Sequence, residues 1–161
     1  MDLTILYQIT LTVSILATGL VAGIFFAFSN FVMQALARLS PNEGIRAMQA
    51  INVTVLNPWF LGTFLGTGFV AIGAAAFLYF GVADDHFALM ISASGLYNCG
   101  VITVTTSFNV PLNNRLEKLD AESTDAHDFW QVYLRKWLFW NHVRTIAAAA
   151  ACISLVVATF I

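Results

Sequence analysis

Four long apolar runs alternate with polar segments along the chain, at residues 3–28, 58–80, 87–108 and 138–161. As helices rising 1.5 Å per residue, all four are long enough to cross about 30 Å of hydrocarbon. A segment in lipid must satisfy its own backbone polar groups, so runs of this length read as transmembrane helices. The pattern predicts an all-α fold, a four-transmembrane-helix bundle, with 1–161 as a single integral membrane domain. The N-terminal run follows an acidic Asp2 and is about twice as long as the apolar part of a secretory signal. It is read as a retained span.

The segments between the spans carry their own signals. Ser40-Pro41-Asn42-Glu43 is a capping-box pattern with proline at the first helical position. Ile45, Met48, Ile51 and Val55 follow at helical spacing, which predicts a short amphipathic helix between the first and second spans. Pro58 opens the second span, where a missing amide costs nothing. Gly81–His86 reads as a tight turn holding Asp84 and Asp85. A helix is expected to start near Ser123–Asp125 and run unbroken into the fourth span, placing Trp130, Tyr133, Trp137 and Trp140 in an interfacial aromatic belt. Gly19 with Gly23, and Gly62 with Gly66, have the spacing that lets helix backbones approach closely.

Composition agrees with lipid as the solvent. Of 161 residues, 59% are hydrophobic and only 10% charged, against about 25% charged in soluble domains. The net charge of −2 says nothing about partners, but the chain has no basic stripe and no Lys/Arg-rich tract, so a nucleic-acid partner is not expected. Arg38 and Arg46 lie in the first loop, and Arg115, Lys118, Arg135 and Lys136 in the third, which is six of the seven basic residues. The positive-inside rule places those loops in the cytoplasm and both termini on the other side of the cell (inner) membrane. Cys99 and Cys152 sit in apolar runs and read as small fillers.

Candidate chemistry gathers at the basic end. Asn30 closes span one, Asn57 opens span two, Asn109 and Asn113 close span three, and Asn141, His142 and Arg144 begin span four. Gln49 and Asn52 on the amphipathic helix can cover the same end. Arg144 lies roughly 9 Å inside Leu138, and an ionisable group within a span is a functional candidate by default. Helix capping and snorkelling account for the same residues equally well. A rotation of about 100° per residue points Asn141 and Arg144 the same way as Trp137, with His142 to one side. His86, His127 and His142 are the only histidines, and this topology keeps them apart. A three-histidine metal site and a bis-histidine haem are therefore not expected. Ser-His-Asp sets and phosphate loops are absent as well.

Four blocks carry a family resemblance: Gly23-Ile-Phe-Phe-Ala-Phe-Ser-Asn-Phe-Val-Met33, then Ala47-Met-Gln-Ala-Ile-Asn52 with Leu56-Asn-Pro58, Phe108-Asn-Val-Pro-Leu-Asn113 and Trp140-Asn-His-Val-Arg-Thr145. In this order they resemble the anthrone oxygenase-like family of small four-helix membrane proteins, over nearly the whole chain. Gln34 stands where that pattern has proline. The resemblance implies a cofactor-independent oxygenase that converts a lipophilic phenolic or anthrone-like substrate with dioxygen, the reaction attributed to some fungal members. It would give His142 the part of base, with Arg144 and Asn141 beside it, and Asn30, Gln49, Asn52, Asn57, Asn109, Asn113, Trp137 and Trp140 around the substrate. The expected partners are the bilayer and a lipophilic aromatic molecule, with a homo-oligomer left open, since ordinary packing within the bundle accounts for the glycine pairs. No metal or cofactor is expected. The alternative is a non-catalytic membrane binding protein or partner subunit; a transporter is a weaker third, since the spans hold no acid and show no clear inverted repeat.

Overall fold

The computed structural model of the protein describes residues 3–79 and 87–160. The turn expected at Gly81–His86, with Asp84, Asp85 and His86, lies outside the described residues. Helix α1 (Leu3–Ala27) continues through a π-helical turn at Phe28–Val32 into α2 (Met33–Leu36). Then come α3 (Pro41–Thr54), α4 (Pro58–Tyr79) and α5 (Phe87–Tyr97). Two further π-helical turns, Asn98–Thr103 and Thr105–Asn109, join α5 to α6 (Val110–Glu117), and α7 (Thr124–Val157) completes the chain. Helices α1, α4, α5 and α7 form a closed ring, with α1 packing on α7 and α4, and α5 on the same two. This is the four-helix bundle that the hydropathy predicted.

Three continuous helical stretches, Ile5–Leu36, Ala88–Glu117 and Thr124–Val157, are long and apolar enough to cross a membrane. Helices α3 and α4 pass the same test of length and apolarity only as a pair, and they meet at a bend of 67°; counting that pair as one span gives four. The bend has a local cause. Asn57 accepts a hydrogen bond from the Phe60 amide (3.0 Å) and donates to the Thr54 carbonyl (3.0 Å), so one side chain closes α3 and caps α4. The capping box at Ser40 and Glu43 opens α3 as the sequence predicts. Ser123 caps α7, accepting from the Ala126 amide at 3.2 Å. On α1, Ile5, Ile9, Val13, Leu16, Leu20 and Ile24 form an exposed stripe at helical spacing. A stripe of large aliphatics facing outward along a whole helix suits lipid and would not suit water.

The interior has two parts. Around the middle of the bundle, Val21, Phe25, Phe64, Met90, Tyr97, Val101, Ala148, Ala151 and Leu155 pack together. At the basic end, α3 closes over α6 and α7, burying Met33, Ile45, Met48, Leu116, Phe129, Trp130 and Tyr133.

Two expectations are corrected. Trp130, Tyr133 and Trp137 do not form an interfacial belt; they are buried and stack along α7, with ring centroids 5.5 and 6.2 Å apart. Their three- and four-residue spacing puts them on the face that α3 covers, and Gly44 of α3 admits the Trp130 ring. The closest helix approach is also not at the paired glycines, of which only Gly19 has a neighbour in ordinary contact, Cys152 Sγ at 3.7 Å from its Cβ position. A Cβ on Gly23, Gly62 or Gly66 would meet nothing within 4 Å, whereas one on Gly100 would meet the Ala147 Cβ at 2.5 Å. That contact brings span three against the alanine run of α7.

Candidate functional site

The buried face of α7 runs through Tyr133, Trp137, Asn141, Arg144, Ala148, Ala151 and Leu155 at three- and four-residue intervals. Asn141 and Arg144 are thus placed inside the bundle by the periodicity that buries the apolar residues on either side. Arg144 is only 5% exposed. Its Nη2 donates to Asn141 Oδ1 at 2.7 Å and its Nη1 to Thr105 Oγ1 at 3.1 Å. The guanidinium lies 4.3 Å from the Phe25 ring centroid and 5.1 Å from that of Trp137, within cation–π range. Among the described residues the only ion pair is the exposed Arg46–Glu122, so no carboxylate neutralises Arg144. Its Nε has no hydrogen-bond partner.

Asn141 anchors this cation to α1. Its Nδ2 donates to the Phe25 carbonyl and to Ser29 Oγ, both at 2.8 Å. The Thr145 hydroxyl donates back to the Asn141 carbonyl, so Ser29 donates to Thr145 across 2.9 Å. Ser29 and Thr105 both lie in π-helical turns. A π turn shifts the phase of the side chains that follow and is frequent at functional sites. Here it aims two hydroxyls at α7.

Arg144 lines a cavity of about 320 Å³. Its walls are Ile24, Phe25 and Phe28 from the end of span one; Met48, Ile51 and Asn52 from α3; Val53 to Leu56 at the elbow; Phe60, Leu61 and Phe64 from α4; Thr105, Thr106, Val110, Asn113, Asn114 and Glu117 from span three and α6; and Trp137 with Arg144 from α7. The surface is mostly apolar and aromatic, with a few polar groups, which is the usual character of a small-molecule site. Asn52 Nδ2 is buried there without a partner. Asn113 Oδ1 is occupied, accepting from Tyr133 Oη (2.8 Å) and Trp137 Nε1 (2.9 Å). Glu117 is the one carboxylate in the lining.

The residues singled out from the sequence divide accordingly. Arg144, Asn52, Asn113 and Trp137 line the cavity, and Asn141 holds Arg144 from behind. Asn109 is buried but faces α7, donating to the Trp137 carbonyl at 3.2 Å. Gln49 ties α3 to the end of α6, donating to the Leu116 and Leu119 carbonyls. Asn57 is a cap. Asn30 is exposed, and Trp140 stacks on Phe108 at 3.6 Å beside a different groove. His142 is exposed on the opposite side of α7 and is not in the lining. His127 bonds the Ala121 carbonyl at 3.0 Å, far along the helix. Sequence reasoning missed Glu117, Thr105 and the phenylalanines of the walls. No group of three His, Cys, Asp or Glu side chains comes within metal-binding reach among the described residues.

Fold and cavity together define a helical membrane protein with a buried, unneutralised cation facing an apolar chamber. A family model described as anthrone oxygenase matches residues 58–154, more than half of the chain, and the chain belongs to that family. No curated protein and no solved structure matches it.

Proposed function

We propose that the protein is a cofactor-independent oxygenase of a lipophilic phenolic or anthrone-like substrate, acting in the inner membrane with its termini on the non-cytoplasmic side. The observation that carries this reading is Arg144, a buried guanidinium with no carboxylate partner among the described residues, in the wall of an aromatic chamber. A neutral ketone or phenol bound there gains stability on ionising, because its oxyanion becomes the missing counter-charge. The Nε–H and the Asn52 amide are donors with no other partner.

For an anthrone, loss of one methylene proton gives a delocalised phenolate. That proton leaves toward the exposed edge of the chamber, where Glu117 is the one carboxylate in the lining to receive it. The anion then transfers an electron to dioxygen, the radical pair forms a C–O bond, the resulting peroxide anion takes back the proton, and the hydroperoxide loses water to leave the quinone carbonyl. Anthrone and O₂ thus become anthraquinone and H₂O, and the balance requires no other oxidant. His142, on the outer side of α7, takes no part in this scheme.

Dioxygen uptake by purified protein with anthrone tests the reading. Arg144→Met is expected to lower turnover by about two to three orders of magnitude, the usual loss for one oxyanion donor. Glu117→Gln is expected to reduce it, and His142→Ala to leave it unchanged. Uptake that survives Arg144→Met and fails in His142→Ala would overturn the scheme. Tight binding of anthrone without any uptake would support the non-catalytic binding protein instead.

A further inference from the structure

A second groove, on the outside of the bundle between α6 and α7, points to a ligand of another kind. It is an open depression of about 650 Å³, lined by Ser107, Phe108, Pro111, Leu112, Arg115, Arg135, Lys136, Phe139 and Trp140. Its residues are sorted along its length. Span three and α6 run toward the basic end, so Phe108 and Pro111 lie deeper and Arg115 at the rim. Helix α7 starts at that end, so Arg135 and Lys136 lie at the rim while Phe139 and Trp140 lie deeper. All three cations are exposed, and none is in an ion pair among the described residues. Arg115 also rests 4.1 Å over the Phe129 ring, between this groove and a neighbouring one that holds Asp125 and Asp128. The groove between α6 and α7 itself contains no acid.

We infer that this groove is a binding site for an anionic phospholipid, with the headgroup phosphate among Arg115, Arg135 and Lys136 and an acyl chain along the Phe108, Pro111, Phe139 and Trp140 floor. The charge complements a phosphate. The floor is a packed aromatic surface, in which Phe108 and Trp140 stack with an interplanar angle of 8° and Phe139 packs edge-on against Trp140 at 5.1 Å. The division into a cationic rim and an aromatic floor matches the division of a lipid between headgroup and chain. A soluble phosphate would use only the rim, and an apolar substrate only the floor. Basic pockets between spans hold lipid headgroups in this manner.

The full chain reconstituted in phosphatidylcholine vesicles allows a direct test, because acyl-brominated lipids quench tryptophan on contact. A Trp59→Phe background removes the most exposed tryptophan, which is 89% exposed and on another helix. Brominated phosphatidylglycerol is expected to quench Trp140 with an apparent affinity about fivefold or more above that of brominated phosphatidylcholine, since each surface cation contributes about that factor. Replacing Arg115, Arg135 and Lys136 together by Gln should abolish the preference. Replacing Arg38 and Lys118, basic residues outside the groove, should preserve it. Equal quenching by the two lipids, a preference that survives the triple replacement, or displacement of the lipid by millimolar inorganic phosphate would overturn the assignment.

Discussion

Arg144 is kept in place by two hydrogen bonds and two aromatic faces, and Asn141 is the hinge of that arrangement. One amide oxygen accepts from the guanidinium while the amide nitrogen fixes α1 through the Phe25 carbonyl and Ser29. Asn141→Leu keeps the branching at Cγ and removes all three bonds, leaving a buried carbonyl and an under-bonded cation. The expected loss is about 2–4 kcal/mol, from hydrogen bonds to a charged group and the unpaired groups that remain. Thermal unfolding in detergent measures it, and an unchanged midpoint would refute the role. These residues were legible in the sequence because one rotation rule places Trp137, Asn141 and Arg144 on a common face and His142 about 100° away. The resemblance pointed to His142 as base, and the burial pattern leaves it exposed, outside the chamber lining that holds Arg144. Glu117 was not legible, because the segment after Asn109 reads as a loop. Once it is a helix, Val110, Asn113 and Glu117 share a face at three- and four-residue spacing.

Among the elements, the spans and caps followed from hydropathy and from Ser40, Asn57 and Ser123. The π turns did not. Two lie in span three, which brings Thr105 and Asn109 to α7 while Gly100 faces Ala147, and the third, at Phe28–Val32, carries Ser29 to Asn141; these are tertiary demands with no period of their own. Gly100→Ala places a methyl 2.5 Å from the Ala147 Cβ. It should destabilise the bundle by about 1–3 kcal/mol, as overpacking does. Ala147→Gly should restore most of that loss in the double variant. A double variant no more stable than Gly100→Ala alone would mean that the two positions are not in contact.

Helix α3 gives a pH-dependent prediction. The Ser40 hydroxyl, then the Ser40 amide (3.2 Å), hydrogen-bond Glu43 and hold its carboxyl below the ordinary range. A carboxylate with a lowered native pKa stabilises the fold above its unfolded pKa, and that stabilisation fades as pH falls through the native value. Amide exchange at the start of α3 should therefore accelerate, relative to α7, below about pH 4, near the unfolded carboxylate value. Glu43→Gln should show no such pH dependence. A wild-type profile identical to that of Glu43→Gln would contradict the capping role.

Among the described residues of the whole molecule, the polar groups gather at one pole. Arg144, its hydroxyl and amide partners, the α3 cover and six basic side chains all belong to the end of the bundle where spans one and three finish and spans two and four start. Gathering polar groups there limits the length of span that must carry them through hydrocarbon. With that end in the cytoplasm, a single cysteine at Lys118 in a Cys99→Ser, Cys152→Ser background should react with an impermeant thiol reagent in inverted vesicles and not in intact cells. The reverse pattern would invert the proposed orientation. The bundle and its polar pole were legible from the order of apolar runs and basic loops. The chamber was not, because its walls come from five helical segments and apolar residues carry no mark of which neighbour they face.

The claim on which the functional account rests is that the Arg144 chamber binds its aromatic ligand as an anion. Absorbance of a bound anthrone or phenolic probe, titrated with pH in wild type and Arg144→Met, measures this directly. The account predicts that the wild-type protein lowers the ligand's pKa by at least about one unit, equivalent to 1.4 kcal/mol of preference for the anion, and that Arg144→Met returns it to the value in empty micelles. A ligand that binds wild type with an unshifted pKa, or whose shift survives Arg144→Met, would contradict it.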